Sequence, residues 1–249
     1  MYFENVLDIG EDIDIGAGVL QVDSSYYMVA QVFDSQQRNW SVVKITSNGD
    51  TIWSKLYSRT DSMSVYPVSG EAFIHTNDSN FILVGNRVPL SNAYSLGFIT
   101  KVDYNGDTLW YKESVYGTNP ISFFNAVIAN SDGTYIATGA TGTSTNADIW
   151  LVKFDANGNV MWQQAYGGVG HEEALSIDNG LVSGYILGGY TYANGTRDAY
   201  VLKVTNAGIF EWDAIFGNNG SDGGRILTSE EQQGYLLYGS WKPQDIDDT

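Results

Sequence analysis

The sequence predicts an all-β fold, a five-bladed β-propeller of four-stranded antiparallel blades. Three observations carry this. A ten-residue phrase with Lys first, Gly five residues on and Trp nine residues on occurs four times, at Lys44/Gly49/Trp53, Lys101/Gly106/Trp110, Lys153/Gly158/Trp162 and Lys203/Gly208/Trp212. Successive lysines stand 57, 52 and 50 residues apart, which is the period of a repeat architecture. No segment shows a helical spacing of apolar residues.

The strands of each unit follow in order. The first holds a small residue ahead of apolar ones, at Ala17, Ala72, Ala126, Ala174 and Gly224. The second is a β-rich run opening on an aromatic residue: Tyr26, Phe81, Tyr135, Tyr185 and Tyr235. The third runs into the lysine, as in Asp148–Lys153 and Asp198–Lys203, and the fourth carries the tryptophan. Asn48-Gly49, Asn105-Gly106 and Asn157-Gly158 join the third to the fourth, a strong hairpin signal because both residues tolerate positive φ. Asn206-Ala207-Gly208 keeps the glycine and is expected to need a slightly different turn.

The two ends sum to one blade. Residues 2–9 align with the fourth strand at 209–216, and the C-terminal stretch supplies strands one, two and the start of three. Residues 2–9 are therefore expected to complete the last blade and remove its exposed edge, making residues 1–249 one domain. Asn5 stands where the other units have Trp, so this blade is expected to pack most weakly.

Composition narrows the partners. Twelve Lys and Arg oppose 29 Asp and Glu, a net charge of −17, which disfavours nucleic acid. Cysteine is absent, which excludes a disulfide framework. No stretch has the roughly 20 apolar residues of a membrane helix, so no membrane insertion is expected, and residues 1–5 do not begin a signal peptide. An extracellular or cell-surface place, as a mature or excised part of a larger secreted protein or complex, is the expectation.

The repeated residues read first as structure. Trp53, Trp110, Trp162 and Trp212 would each remove about 150–250 Å² from water, roughly 4–6 kcal/mol gross. Trp40, Trp150 and Trp241 fall outside the frame and read as individual. Lys44, Lys101, Lys153 and Lys203 read as structural ion pairs or snorkelling stems, because a nucleophile needs one special copy rather than four. The acids ahead of the first strand, Glu71, Glu172 with Glu173, and Asp222, with Asn125 as the third unit's version, could cluster in the central channel. Glu71, Glu172 and Asp222 are candidate cation ligands, with calcium the ion considered; no other cofactor is expected. Glu172 and Glu173 are the candidate catalytic acids. His75 and His171 lack metal-ligand spacing.

The stretches Lys153-x-Asp155-x-x-Gly158-Asn159-x-x-Trp162, Tyr166-Gly167-Gly168-x-Gly170-x-Glu172 and Gly184-Tyr-Ile-Leu-Gly-Gly-Tyr-Thr191 resemble secreted bacterial and archaeal β-propeller repeat proteins. Many of those in Bacteroidetes look like cargo of the type IX secretion system. Units one and two lack the Tyr-Gly-Gly-x-Gly stretch. The Gly-x-x-x-Trp element is also similar to that of quinoprotein propellers, whose quinone and calcium pocket has no counterpart here. Loops 58–69, 88–95, 117–123 and 193–197 differ most between units, and variable loops on a fixed frame are where recognition sits. The expected function is a non-catalytic binding or scaffold module recognising a protein or glycan. The alternatives are a multi-site lectin and a five-bladed glycosidase with channel carboxylates.

Overall fold

The computed structural model describes residues 13–34, 37–58, 62–66, 70–89, 94–217, 221–229, 231 and 233–240. Among them are 19 strands and a single three-residue 3-10 turn at Gly70–Ala72. The protein is a five-bladed β-propeller. Blade one holds β1 (Ile13–Val22), β2 (Ser25–Asp34), β3 (Gln37–Thr46) and β4 (Thr51–Tyr57). Blade two holds β5 (Ser62–Tyr66), β6 (Phe73–His75), β7 (Phe81–Pro89), β8 (Leu96–Val102) and β9 (Thr108–Ser114). Blade three is β10 (Ile121–Ala129), β11 (Tyr135–Gly142), β12 (Ala147–Phe154) and β13 (Val160–Tyr166). Blade four is β14 (Glu172–Asn179), β15 (Tyr185–Thr191), β16 (Asp198–Val204) and β17 (Phe210–Phe216). Blade five contributes β18 (Gly223–Ser229) and β19 (Gly234–Ser240). The expected pairing of residues 2–9 with the C-terminal strands lies outside the described residues, as does Trp241.

Blades three and four are separate antiparallel sheets in the order first-second-third-fourth strand. Blade two departs from the plan. Its first strand is split into β5 and β6, both paired with β7, and the 3-10 turn carries Ala72 out of the strand expected for it. A parallel bridge between Arg38 and Ser64 joins blades one and two into one hydrogen-bonded sheet.

The core lies in the seams. Alternate residues of a strand point to opposite faces, and both faces here meet a neighbouring blade. On β7, Phe81 and Leu83 pack toward Tyr27, Val29 and Trp40 of blade one. Ile82 and Val84 pack toward Phe124, Val127 and Trp150 of blade three. Ile136, Ile149 and Leu151 meet Ile177, Leu187 and Leu202 across the next seam, and Ile186 and Val201 meet Ile226 across the fourth. This double burial explains why the inner strands are near-continuous apolar runs.

Lysine and tryptophan of each frame are direct cross-strand partners: Lys44 with Trp53, Lys101 with Trp110, Lys153 with Trp162 and Lys203 with Trp212. Trp53, Trp110 and Trp162 each reach forward to the turn glycine of the next blade, while Trp212 meets Tyr235 of blade five. A Cβ added to Gly106 would lie 2.9 Å from Trp53, one on Gly158 2.6 Å from Trp110, and one on Gly208 2.8 Å from Trp162. Tyr57 and Tyr166, four residues after their tryptophans, donate to the carbonyls of Gly106 and Gly208 at 2.5 Å. Trp150 also proves to be a repeated position, since Phe98 and Tyr200 likewise stand three residues before the frame lysine. Trp150 is fully buried and stacks on Phe124 at 4.4 Å.

The four glycine turns are alike. Gly49, Gly106, Gly158 and Gly208 all have φ between 73° and 89°, while the preceding residues do not enter the left-handed region. Each turn closes with a hydrogen bond from the glycine N–H to the carbonyl three residues back, followed by a register shift after the lysine. Ala207 therefore needs no special turn, contrary to expectation, because only the glycine position demands positive φ. The side chain before the turn does the remaining work: Asp155 Oδ1 accepts from the N–H groups of Asn157 and Asn159 at 2.9 and 2.8 Å, and Asp103 does the same in blade two.

Candidate functional site

The first strands of blades one, three and four carry a bulge near their midpoint, and bulges re-aim side chains. Ala17, Asn125 and Leu175 are the bulged residues of β1, β10 and β14. Spacing puts Glu71 and Arg225 at the same place in blades two and five. This corrects the alignment expected from sequence. Asn125 is the counterpart of Leu175, whereas Ala174 and Glu173 correspond to Phe124 and Phe123. The small residue was matched two positions off because the bulge is invisible in composition.

Glu172 and Glu173, adjacent on β14, go to different surroundings. Glu172 is buried, accepting from Thr191 Oγ1 at 2.6 Å and from the Gly168 N–H at 3.1 Å. Asp148 comes close: a Cβ on Gly167 would lie 2.1 Å from an Asp148 oxygen and 2.7 Å from a Glu172 oxygen. Burial, then the Glu172 charge, pushes the Asp148 carboxyl above its ordinary value. The Tyr166-Gly167-Gly168 loop is glycine-rich because it wraps this pair. Fifty residues on, buried Asp198 and Asp222 occupy the equivalent places, with Gly217 against Asp198. The Asp222 N–H donates to the Arg197 carbonyl at 2.6 Å.

Glu173 points into a second cluster. Its carboxylate accepts from Asn125 Nδ2 at 2.8 Å and from the Tyr190 hydroxyl at 2.6 Å, with His171 Nε2 3.6 Å away. Burial raises its pKa, but the nearby His171 ring and hydrogen bonds from Tyr190 and Asn125 outweigh that and hold the carboxyl below its usual range. Burial, then the charge of Glu173, pushes the Tyr190 hydroxyl well above the usual tyrosine range. The Arg197 guanidinium sits 3.9 Å from the centre of the Tyr190 ring, a cation–π contact. His171 stacks parallel to Tyr190 at 5.9 Å, and half-exposed Tyr192 stands perpendicular to it at 5.8 Å.

Strand direction places this cluster. The loop from β15 to β16 and the loop entering β14 lie at the same end of the blade, so Arg197, Tyr192 and His171 gather at one mouth of the ring. Toward the axis, Arg225 donates to Glu71 at 2.8 Å and to the Leu175 carbonyl at 2.7 Å. Glu71 is raised by burial, with Arg225 partly offsetting that.

The candidate cation ligands are thus distributed rather than assembled. Glu71 pairs with Arg225, Glu172 sits with Asp148, and Asp222 lies a blade further on. Among the described residues no group of three or more His, Cys, Asp or Glu could hold a metal ion. Of the candidate acids, Glu173 faces an aromatic and cationic surround at the mouth, whereas Glu71 meets Arg225 and Tyr238 toward the axis. The frame lysines bind structure: Lys101 contacts Asp78 at 2.5 Å and the Tyr135 hydroxyl at 3.0 Å. Lys203 reaches the Ser183 and Val204 carbonyls and Glu211, and Lys44 lies over the Tyr27 ring.

Sequence reasoning missed His171, Tyr190, Tyr192 and Arg197. A signal existed. Fifty residues earlier the counterparts of His171, Glu173, Tyr190 and Arg197 are Ile121, Phe123, Ala140 and Ala147, all apolar. Subtracting the repeat isolates the four residues that blade four alone possesses.

Fold and mouth together define a class, a five-bladed β-propeller with one differentiated blade. No protein-family model matches the sequence, and no curated protein does. Solved structures do. The exo-β-1,3-galactanase of Phanerochaete chrysosporium, solved with β-1,3-galactotriose, aligns over 90% of this chain with a TM-score of 0.51 and 15% identity. A GH32 β-fructofuranosidase of Bombyx mori aligns over 90% with a TM-score of 0.50 and 12% identity. The chain spans 59% and 54% of those two proteins. At such identities the likeness is one of fold.

Proposed function

We propose that this is a non-catalytic, glycan-binding β-propeller, displayed outside the cell or on its surface. One observation carries the reading: the Glu173–Tyr190–His171–Arg197 cluster, with Tyr192 half-exposed beside it, occurs in blade four alone and opens at a mouth of the ring. An aromatic face, an ionised acceptor and a guanidinium donor on rigid strands are what a polyhydroxylated ring needs for orientation. Two fold neighbours are named for sugar substrates, which favours a glycan over a protein ligand. Export as type IX cargo, in line with the sequence resemblance, belongs to the same proposal.

The enzymatic alternative rests on the glycosidase fold and on the carboxylates. Glycoside hydrolysis needs two acids flanking one bond at about 5–9.5 Å. Glu173 is engaged by three partners, and the Asp148–Glu172 pair is enclosed by a glycine loop and echoed in the next blade. Both facts favour binding over turnover. A glycan array probed with the native protein and with Arg197→Ala tests the reading. Hits lost in the variant support it, and an empty array removes it. Sugar release by the native protein that Glu173→Gln or Glu172→Gln abolishes would establish the enzyme instead.

A further inference from the structure

The opposite face of the ring holds a feature that the repeat does not explain. In blade two the frame lysine, Lys101, is closed down on Asp78 and on the Tyr135 hydroxyl of the next blade. In blade four Lys203 is closed down on two carbonyls and Glu211. In blade three the same closure is looser, an ion pair without a tight hydrogen bond. Lys153 stands 3.6 Å from Asp132, beyond hydrogen-bond reach, although its side chain is only 14% exposed. Tyr185, the counterpart of Tyr135, turns its hydroxyl to Asn130 Oδ1 at 3.3 Å instead of to the lysine. Beside Lys153 lies a polar cleft of about 620 Å³ between the turns of blades three and four, with Asn77 of blade two at its edge. Asn130, Asn179 and Asn206 line it beside Lys153, Asp132 and Tyr185.

We infer that this cleft is a second binding site, for a neutral saccharide of one to three residues. Its volume lies within the usual range for small-ligand sites. Lys153 and Asp132 balance each other, so the cleft offers a donor and an acceptor without net charge. An asparagine amide carries both a donor and an acceptor, which matches hydroxyl groups that do both. Asn130 is engaged by Thr134 and Tyr185 and the Asn206 oxygen by the Gly184 N–H, so Asn179 and the Asn206 nitrogen are the groups offered to a ligand. A chain of net charge −17 disfavours acidic sugars. The site stands apart from the blade-four cluster, at the end of the blades where the first-to-second and third-to-fourth strand turns lie.

Saturation-transfer NMR with maltotriose, cellotriose and β-1,3-galactotriose, and trigalacturonic acid as the charged control, tests this. The native protein and Arg197→Ala are expected to give transfer from at least one neutral trisaccharide. Introduced into Arg197→Ala, which disables the other mouth, Ser131→Trp, which fills the cleft from an exposed turn, and Lys153→Met are each expected to weaken the remaining signal at least tenfold, with melting curves confirming that both fold. No transfer to the native protein, transfer to Arg197→Ala untouched by Ser131→Trp, or preference for the acidic sugar would each overturn the inference. A signal lost in Arg197→Ala but kept in Ser131→Trp assigns all binding to the other mouth and also overturns it.

Discussion

Arg225 of the fifth blade and Glu71 of the second, 154 residues apart, meet across the ring at 2.8 Å. Blades two and five are not neighbours in a five-membered ring, so this pair spans the axis. Both side chains are about one-third exposed, and solvent reduces what the contact is worth. Arg225→Leu is expected to cost about 1–2 kcal/mol, because a half-buried carboxylate loses its partner. Chemical denaturation of the two single variants and of the double variant with Glu71→Gln should return a coupling of about 0.5–1 kcal/mol. Strict additivity would mean that the pair is incidental.

The tryptophan-to-glycine seams should dominate stability. Trp162→Ala is expected to cost about 3 kcal/mol, lowering the melting temperature by roughly 6–12 °C. Trp212 is 41% exposed, and its Ala variant should lose less than half as much. Gly158→Ala should cost about 1–3 kcal/mol, since it meets both a φ of 77° and the Trp110 ring. Calorimetry of the three variants checks the order.

Glu173 should contribute stability with a defined pH dependence. Its folded pKa is depressed, so the contribution is present above the unfolded value of about 4.3 and fades as pH falls through the lower folded one. Native protein and Glu173→Gln should differ in melting temperature at pH 7 and converge on acidification below about pH 4. A gap that widens in acid contradicts the assignment.

Asp148 should behave in the opposite sense. Its folded pKa is raised, so its carboxyl favours the fold below the unfolded value of about 3.9 and opposes it once ionised. Asp148→Asn is expected to stabilise the fold near neutrality by less than about 1 kcal/mol, because the group is partly exposed, and so to raise the melting temperature slightly. Destabilisation at pH 7 would show that the charged pair is needed.

Removal of residues 1–10 tests whether the N-terminal segment completes the fifth blade. A fall in melting temperature of at least about 5 °C is expected. An unchanged melt refutes the closure.

The blades were legible because their signals are local and repeated. Lys153, Gly158 and Trp162 fix a strand, a turn and a second strand by spacing alone. What escaped was register. The extra residue at Asn125 and Leu175 leaves no compositional trace, so Glu71 and Asn125 align with Glu173 two places out, whereas Glu172 and Asp222 align correctly. Blade two's split first strand was hidden for the same reason, since Ala72 looks like any small residue at a strand start. The blade-four cluster was missed because His171, Tyr190 and Arg197 are distant in sequence. Their departure from the fifty-residue pattern is the signal the sequence carries for them.

The forward reach of Trp53, Trp110 and Trp162 makes the three joints from blade one to blade four alike. Each of these units offers a ring on one side and a bare backbone turn on the other, so they are built to follow one another. Copying or losing one module would leave its flanking joints intact, a route by which gene duplication could change the number of blades. Only a module altered at its mouth, as the fourth has been, would not be interchangeable, and that is where selection for binding would leave its mark.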